Sequence, residues 1–562
     1  MAGRIRTVCL IHSHLAPAFE TLGVGVVSLD PPAGVASLAE LLAGVSPPPD
    51  CVIQQEHLAK RLVLTDLDAA PCPTVFWARD PHLNFFWQRH YAGLFSAVGA
   101  TQPHMLDALA AAGAPRTAWI TWHGQARPFR PHADRRARLA FAGRITSERP
   151  RRQWFAEHLA RFDLLARDDV FGPELAAFYD DARIVPNESI SGEVNQRLFE
   201  AASSGCLVVG ERTPRAVETL FAPGREALFF DDVLELDEHL RFAADHPEWA
   251  EAVGRAAWEA IRDRHLPEHR AAALLELAAG AGAGGVSGME AQAATALTIY
   301  ELARSGQIAV SPEALWGRLW RAPETPEVMA ARVQLAVAVG RTEIVRELAD
   351  RCVADPVLSG SLPTAAACCL AGWKLGDAAL ARRAHLSWLR AKGRPRQARH
   401  LADVRDARLF FAGEFAEAGR LASPGQPFDP AKHLPSDAAQ CLMAVLDGHP
   451  DDLQAVRRLE AVLRRLPGRQ VELAGCLSTL TLHRRQDWAL GLELGLADLR
   501  VFRREAGLDE VALAGETACR LEQGERFARR LAALDPSGRV RRALAAAAGR
   551  IDPAAPAGTP GL

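Results

Sequence analysis

The chain has 562 residues, of which 49% are hydrophobic and 24% are charged. This length exceeds what one hydrophobic core supports, so we expect about two to four domains. The formal net charge of −3 at pH 7 gives no electrostatic reason to expect nucleic-acid binding, because phosphate contacts need a concentrated basic surface.

The N-terminal segment, MAGRIRTVCLIHSH, argues against a secretory signal peptide. His12 and His14 stand where the apolar core of such a peptide would continue. No stretch of the chain reaches the roughly 18 uninterrupted apolar residues of a membrane span. The ten cysteines lack the spacing of a metal site, which is typical of reduced cysteines in a core. These features predict a cytoplasmic protein without a membrane span.

Residues 1–133 alternate short apolar runs with helical patterns, which predicts a first Rossmann-like lobe with an open parallel sheet. Asp80 and His82 follow the fourth of these runs, at a carboxyl end of the sheet where ligands of such folds bind. The six candidate strands are RTVCLIH, VGVVSLD, CVIQQE, TVFWA, LFSAVGA and TAWITWH.

Residues 134–279 repeat this alternation and predict a second Rossmann-like lobe. Arg144 follows its first strand, and the cluster Arg149 to Arg152 is expected to be an exposed helix start. The candidate strands are LAFAGRI, FDLLA, ARIVPN, CLVVGE and EALFF, and helical patterns follow them up to residue 279.

The stretch NESISGEVNQRLFEAASSG, from Asn187 to Gly205, carries the chemistry of this second lobe. Its turn residues follow a strand, and apolar residues recur at helical spacing from Glu193 onward. Backbone N–H groups at a helix start suit a phosphate, while Arg197 and Glu200 lie one turn inside, within reach of a ligand. The alternative from the residues alone is an ordinary helix cap with a solvated arginine and glutamate.

The same stretch resembles the nucleotide-sugar signature of group 1 glycosyltransferases, particularly the bacterial spore-maturation-protein type. Segments 220–232, 264–271 and 74–105 resemble other parts of that family in the right order, so the resemblance covers roughly residues 70 to 275. The residues that carry the signature are Asn187, Ser189, Val194, Asn195, Arg197, Phe199, Glu200, Ala201 and Gly205.

The resemblance implies a GT-B fold and a nucleoside diphosphate sugar as co-substrate, with no bound metal or other cofactor. Glu200 is then expected to bind the ribose, while Arg144 and Arg197 neutralise the departing diphosphate. Asp80 and His82, from the opposite lobe, are expected to act on the acceptor or the transferred sugar. The expected donor-binding residues are Asn187, Ser189, Ser191, Gly192, Glu193, Asn195 and Glu200.

One departure from the wider superfamily bears on the mechanism. Many relatives carry two glutamates with seven residues between them, and Gly192 occupies the position of the first glutamate. The role of that first glutamate is therefore unassigned. Retention of anomeric configuration is expected by resemblance alone, and the sugar, the nucleotide and the acceptor stay open.

Residues 280–289 form a Gly/Ala-rich linker, after which strand signals disappear. In residues 290–547, glycines at 306, 340, 376, 413 and 448 recur at a period typical of tetratricopeptide-like helix pairs, with an irregular helical bundle as the alternative. The tail, residues 548–562, has the composition of a disordered segment. If this region is modular, deletion after Met289 should leave donor hydrolysis intact.

Three functions stay open at this point. The first is a glycosyltransferase whose helical repeats dock a glycan or protein acceptor or a protein partner. The second is a degenerate nucleotide-sugar-binding module that acts as an interaction scaffold, favoured by Gly192. The third is a nucleotide-sugar epimerase on the same scaffold.

Overall fold

The structure, a computed structural model, describes residues 5–212, 216–282, 285–394 and 401–548. Its strands form a six-stranded parallel sheet, a five-stranded parallel sheet and one parallel pair. They are β1 (Thr7–Ile11), β2 (Gly25–Leu29), β3 (Gly34–Ser37), β4 (Cys51–Gln55), β5 (Leu62–Thr65), β6 (Thr74–Ala78), β7 (Ala97–Ala100), β8 (Thr117–Trp119), β9 (Ala137–Ala142), β10 (Leu164–Arg167), β11 (Ala182–Asn187), β12 (Leu207–Glu211) and β13 (Leu228–Phe230).

The helices between these strands, and three that follow the last strand, cover the faces of both sheets, as buried parallel strands require. They are α1 (Ala16–Thr21), α2 (Leu38–Leu42), α3 (Pro81–Tyr91), α4 (Leu106–Ala111), α5 (Pro150–Leu159), α6 (Gly172–Asp180), α7 (Gln196–Ser203), α8 (Val217–Leu220), α9 (Val233–Asp245), α10 (Pro247–Arg264) and α11 (Pro267–Ala279).

Helices alone follow in the remainder of the described chain. They are α12 (Gly288–Arg304), α13 (Pro312–Arg321), α14 (Pro326–Ala338), α15 (Thr342–Ala354), α16 (Pro356–Ser359), α17 (Leu362–Lys374), α18 (Ala378–Ala391), α19 (Val404–Glu417), α20 (Ala438–Gly448), α21 (Leu453–Leu463), α22 (Gln470–His483), α23 (Trp488–Arg500), α24 (Arg504–Arg520), α25 (Gly524–Leu534) and α26 (Arg539–Ala547).

The first sheet has the strand order β2-β1-β4-β6-β7-β8, and the second has the order β10-β9-β11-β12-β13. All eleven predicted strands lie in these two sheets. Inner strands such as β4 and β6 are buried along their whole length, whereas the edge strands β2 and β10 are partly exposed. The predicted fold class, two Rossmann-like α/β lobes followed by a helical region, is confirmed. The pair β3-β5 is additional and was not predicted.

Two compact units divide the chain, and each contains two separate stretches. One unit contains residues 1–121 and 270–462, and the other contains residues 122–269 and 463–562. The predicted domain boundaries were drawn for contiguous segments and stay predictions. Each unit therefore combines one α/β lobe with part of the helical region.

In the first unit, helices from distant parts of the sequence complete both faces of the sheet. On one face, Trp87 and Tyr91 of α3 share a core with Leu297 and Tyr300 of α12. On the other face, α11 buries an apolar side, including Leu274, against the strands. Between α11 and α12, the Val286 N–H donates to the Gly93 carbonyl at 2.8 Å, so this part of the predicted linker is packed against the lobe.

The helices of the first unit pack as consecutive pairs. α12, α14, α17 and α19 pack in series, and each also packs against the helix after it in a pair, namely α13, α15, α18 and α20. Gly306, Gly340 and Gly376 follow helix ends with φ near +70°, a backbone region that glycine adopts readily. Gly413, in contrast, lies inside α19, and Gly419 takes the positive φ beyond that helix. This packing is consistent with helical repeats, while the tetratricopeptide-like assignment stays a prediction.

In the second unit, the C-terminal helices are part of the core of the lobe. Leu492 and Leu499 of α23, together with Phe502, belong to the same buried cluster as Phe141 of β9 and Phe155 of α5. Residues 549–562, which include nearly all of the predicted disordered tail, lie outside the described residues.

Nine of the ten cysteines are buried and Cys519 is exposed. Among the described residues, no helix is both long and apolar enough to cross a bilayer.

Candidate functional site

The loop between β11 and α7 contains one short turn, followed by an extended segment before the helix begins. Ile190–Gly192 forms a short 3-10 turn, and Ser191 and Gly192 both have positive φ, 55° and 71°. The backbone is extended again at Glu193 and at Asn195. The helix therefore starts at Gln196, and the predicted helical spacing from Glu193 is wrong by three residues.

A buried anchor holds the chain extended before α7. Val194 is 1% exposed, and its carbonyl accepts a hydrogen bond of 2.8 Å from the Trp122 indole N–H. Asn195 occupies the cap position of α7, yet its side chain does not cap the helix and instead donates to the Glu188 carbonyl at 3.2 Å. The first turn of α7 has neither a side-chain cap nor an acidic residue of its own, and the positive dipole end of a helix suits an anion.

Arg197 joins the ends of two strands. Its Nε donates to the Ala142 carbonyl at the end of β9 at 2.9 Å, and its Nη1 donates to Asn187 Oδ1 at the end of β11 at 2.8 Å. Its guanidinium lies 4.4 Å from the centre of the Phe141 ring. Burial lowers the pKa of Arg197. Arg197 and Asn187, which were both expected to act on the donor, are thus hydrogen-bonded to each other.

Gly143 is required at this position by the approach of Arg197. A Cβ atom at residue 143 would lie 2.9 Å from Arg197 Nη2, and the residue has a φ of +158°. Any side chain would therefore push the guanidinium away from the strand ends. Arg144, the next residue, is exposed, and its guanidinium makes no hydrogen bond or ion pair with the residues that the structure describes.

Beneath the loop lies a network of four charges, of which Arg151, Arg152 and Glu188 are buried and Glu211 is partly buried. Arg151 binds Glu211 through two hydrogen bonds of 2.9 and 2.5 Å, and Arg152 donates to Glu188 at 2.9 Å. Burial disfavours the charge on Arg151, but Glu211 and Glu188 outweigh it and raise the pKa of this guanidinium. The prediction that Arg149 to Arg152 form an exposed helix start is wrong for these two residues, because facing carboxylates compensate their burial.

The same network fixes the loop main chain. The Ser189 N–H donates to Glu211 Oε2 at 3.0 Å, and the Ser189 carbonyl accepts from Arg151 at 3.2 Å. The Ser189 hydroxyl is turned inward and donates to the Glu193 carbonyl at 2.6 Å. Ser189 is 4% exposed, so its hydroxyl shapes the loop, and a donor contact would have to come from its neighbours.

Two C-terminal segments of the chain complete this loop. Arg151 donates to the Arg500 carbonyl at 3.0 Å, and its guanidinium lies 4.6 Å from the centre of the Phe502 ring. A Cβ atom at Gly468 would lie 1.9 Å from Ser191 Cα. The chain just before α22 is therefore packed tightly against the turn at Ser191 and Gly192.

Glu200 lies on α7 one turn beyond Arg197 and is half-buried. Burial raises the pKa of the neighbouring Tyr179, with Arg197 acting against this shift and Glu200 adding to it. The charges of Arg197 and Glu200 therefore both act on the Tyr179 hydroxyl.

In the first lobe, Asp80 and His82 mark the start of α3. Asp80 precedes the helix and is half-buried, while His82 is 5% exposed. The N–H groups of Arg79 and Asp80 donate to Glu56 Oε2 at 2.8 and 3.0 Å, and Glu56 is itself ion-paired with Arg61. The buried carboxylate of Glu56, just after β4, thus fixes the main chain before α3. The Asp80 side chain does not cap this helix.

Sequence reasoning missed the residues that support the loop from below. Arg151, Glu188 and Glu211 have no local signal, because a charged residue near a strand end or in a first helical turn is usually solvated. Gly468 lies between two helices and Phe502 follows a helix. Residues of these types are common at such positions, so neither is distinctive in the sequence. Their partners lie hundreds of residues away in the sequence.

Residues 124–276 match the family model described as glycosyl transferase-like. This segment contains β9 to β13 and the loop at Asn187 to Asn195. The match supports the expected glycosyltransferase-type domain, while the spore-maturation type stays a prediction. A search of curated protein sequences finds no match to the chain.

Several solved structures are similar to part of the chain. Sucrose-phosphate synthase from Thermosynechococcus elongatus is 12% identical, with a TM-score of 0.35, over 48% of this chain and 98% of that one. HepE from Anabaena, in complex with UDP and glucose, is 13% identical, with a TM-score of 0.35, over 48% and 99%. A glycosyltransferase from Rickettsia africae is 12% identical, with a TM-score of 0.35, over 48% and 97%. Similarity at this level gives no basis for transferring residue roles.

Proposed function

We propose that the protein is a glycosyltransferase that moves a sugar from a nucleoside diphosphate sugar to an acceptor hydroxyl. The observation that carries this proposal is the loop from Asn187 to Asn195, whose main chain is hydrogen-bonded to Glu211 and Arg151 and which leads to the uncapped first turn of α7. It lies within the segment that matches the glycosyl transferase-like family. A backbone N–H cluster at a positive dipole end suits a diphosphate.

The chemistry requires that two opposite charges be stabilised as the donor bond breaks. Positive charge develops on the sugar ring, and negative charge grows on the departing diphosphate. Arg144 is exposed at the carboxyl end of β9 and is assigned to the diphosphate, together with the N–H groups of the α7 first turn. Arg197 fixes the ends of β9 and β11 and adds its positive charge nearby.

The remaining donor contacts are assigned by position. Glu200 would accept hydrogen bonds from the ribose diol, since a half-buried carboxylate on α7 has two oxygens for this purpose. Asn195 Oδ1 is buried without a hydrogen-bond donor among the described residues, so a ligand hydroxyl or amide could satisfy it. Ser191, Gly192 and Glu193 would shape the donor pocket through their main chain.

Asp80 and His82 stay the proposed acid–base residues of the first lobe. We also propose that transfer is independent of a bound metal and that the helical region docks the acceptor, a glycan or protein, or a protein partner. Chelator treatment tests the metal: turnover that persists in EDTA supports independence, and turnover that disappears and returns with a divalent cation contradicts it.

The experiment measures donor hydrolysis with a panel of nucleoside diphosphate sugars. In the Arg144→Ala variant, kcat/KM is expected to fall about 100-fold, as for loss of a charge that stabilises the leaving group. Glu200→Gln is expected to raise KM about tenfold, because a neutral amide binds the ribose diol less strongly. Both predictions are read from steady-state rates of nucleotide release.

Arg136→Ala is the matched control, because Arg136 is also exposed but directly precedes β9 at its opposite end. It is expected to leave hydrolysis unchanged. Equal losses in the Arg136 and Arg144 variants would contradict the assigned site, and production of an isomeric donor sugar would contradict glycosyl transfer in favour of epimerisation.

A second candidate function is a degenerate nucleotide-sugar-binding module. Gly192 favours it, because the φ of +71° at this residue is strained for the glutamate that many relatives carry. Binding of a donor by calorimetry, with no hydrolysis and no transfer, would support this candidate over the first.

A further inference from the structure

The first lobe contains an open cavity of its own, of about 330 Å³. Its size is at the lower end of the range of small-molecule sites. The cavity lies at the carboxyl ends of β1, β2, β4 and β6. It is lined by His12, Ser13, His14, Ser28, Leu29, Asp30, Gln55, His57, Lys60 and Arg79.

The topology of the sheet makes this position a place for ligand binding. β1 pairs with β2 on one side and with β4 on the other, so the chain reverses its direction of travel across the sheet between β1 and β4. Ligands of open parallel sheets bind outside the carboxyl ends of the strands at such a switch point. His12 to His14, which follow β1, meet Gln55 and His57 from the end of β4 there.

The polar side chains of the cavity are held in place before any ligand arrives. Ser13 donates to Gln55 Oε1 at 3.1 Å, and Gln55 Nε2 lies 3.0 Å from His14 Nδ1. His12 has a φ of 56°, which is uncommon for a residue other than glycine. Its Nε2 donates to the Pro31 carbonyl at 2.7 Å, and its Nδ1 is buried with no partner among the described residues. Strain and preorganisation of this kind are typical of binding sites.

The charge of the lining is net positive. Lys60 and Arg79 are its two permanent cations and Asp30 its single carboxylate, while His12, His14 and His57 add positive charge only when they are protonated. Asp30 is bound to Lys60 at 2.5 Å. The nearby Glu56 is buried and ion-paired with Arg61.

The effect of this charge appears at His57. Burial lowers its pKa, and His12, Lys60 and Arg79 lower it further, with only Asp30 acting in the opposite direction. The cavity therefore has a positive potential that a bound anion would relieve.

We propose that this cavity binds an anionic group, a carboxylate or a phosphate, carried by a sugar-sized molecule. Lys60 and Arg79 supply the charge, and the Ser13–Gln55–His14 network receives the hydroxyl groups. Under the proposed function, on which this part of the inference rests, the bound molecule is the acceptor, and the acceptor is therefore acidic.

The test is calorimetric titration of the full-length protein with glucuronate, glucose 6-phosphate and glucose at low ionic strength. Both anions are expected to bind at least tenfold more tightly than glucose, and the stronger of the two identifies the charged group. Lys60→Gln is expected to weaken anion binding about tenfold, as for loss of a hydrogen bond to a charged group. Asp30→Asn is expected to strengthen it several-fold, because the only opposing charge in the lining is removed.

Lys432→Gln is the matched control, since Lys432 is also an exposed lysine paired with an aspartate, at 3.2 Å. Glucose that binds as tightly as the anions, or equal losses in the Lys60 and Lys432 variants, would overturn the proposal. The titration contains no nucleotide sugar. Anion binding in a protein without donor turnover would therefore overturn the proposed function alone, and donor turnover without anion binding would overturn the anion site alone.

Discussion

Arg197 is both a candidate ligand-binding residue and a residue that stabilises the fold. Its guanidinium donates in two directions, to the ends of β9 and β11, and stacks on Phe141. A lysine has a single ammonium and could not make these bonds in the same geometry. The residue type at this position is therefore set by the shape of the strand ends as much as by any phosphate.

Glu211 offers the clearest stability test at the residue scale. The Glu211→Gln variant keeps the shape of the side chain but leaves Arg151 without its bidentate partner in a buried position. We expect the free energy of unfolding to fall by about 3 kcal/mol, because a buried charge loses its compensation. Urea unfolding followed by tryptophan fluorescence measures the change.

Asp169→Asn is the control for that measurement. It breaks the exposed Arg167–Asp169 pair, for which water already screens both charges, so the expected loss is below about 1 kcal/mol. Equal losses in the two variants would show that the buried network does not contribute as its geometry indicates.

These buried charges could not be predicted from the sequence. Arg151 and Arg152 lie in a run of arginines beside a proline, which is the pattern of a solvated helix start. Their burial depends on Glu188, Glu211 and Phe502, and no local pattern connects residues so far apart. The nearby expectation for Glu200 and Arg197 on one helix followed from their three-residue spacing and holds in the structure.

At the scale of elements, the turn at Ser191 and Gly192 depends on a second turn near the end of the chain. Gly468 has a φ of +68°, and a Cβ atom there would clash with Ser191. We expect Gly468→Ala to displace the loop from Asn187 to Asn195, which is the proposed donor site, and to raise the KM for the nucleotide sugar about tenfold. A displacement of this size at a phosphate-binding loop weakens several hydrogen bonds together.

Gly475→Ala is the matched substitution. Gly475 lies inside α22, and a Cβ atom there meets nothing within 4 Å, so the alanine should be neutral or slightly stabilising. Unchanged donor kinetics in the Gly468 variant, with both variants folded by circular dichroism, would disprove the coupling between the two turns.

The strands were predictable because each is a short apolar run between turn signals. The apolar residues of such a run indicate directly that the segment is buried. β3 and β5 were missed because GVAS and LVLT are only four residues long, and GVAS contains a single large apolar residue, Val35. The start of α7 was misplaced because Val194 fits a helical pattern, yet it is buried by a contact with Trp122. Local periodicity does not distinguish a residue buried on the inner face of a helix from an extended residue buried by a distant side chain.

At the scale of the whole molecule, the helical region is not separable from the lobes. Leu297 and Tyr300 belong to the core of the first unit, and Leu492 and Leu499 belong to the core of the second. The expectation that deletion after Met289 leaves donor hydrolysis intact assumed independent modules. The shared cores do not support that assumption.

We therefore expect deletion after Met289 to abolish donor hydrolysis through loss of folding. The truncated chain would expose apolar surface of α3 and α5 that the missing helices cover, and such surface promotes aggregation. Thermal unfolding and soluble yield measure the effect. Deletion of residues 549–562, which lie outside the described part of the chain, is the control and should change neither quantity.

A truncated protein that unfolds cooperatively and hydrolyses the donor at the wild-type rate would contradict this prediction. It would mean that the lobes can bury the exposed surface by rearranging, and the modular expectation would then be correct.

The division of the chain into two units with interleaved segments also has a consequence for protein synthesis. The first unit ends at residue 462, and the second extends beyond it. A ribosome therefore releases the first lobe long before the helices that complete its core have been made. During this interval the apolar faces of the lobes that α12 and α23 later cover are exposed to solvent and can bind chaperones. The folding yield in a cell should therefore depend on translation speed and on the amount of chaperone.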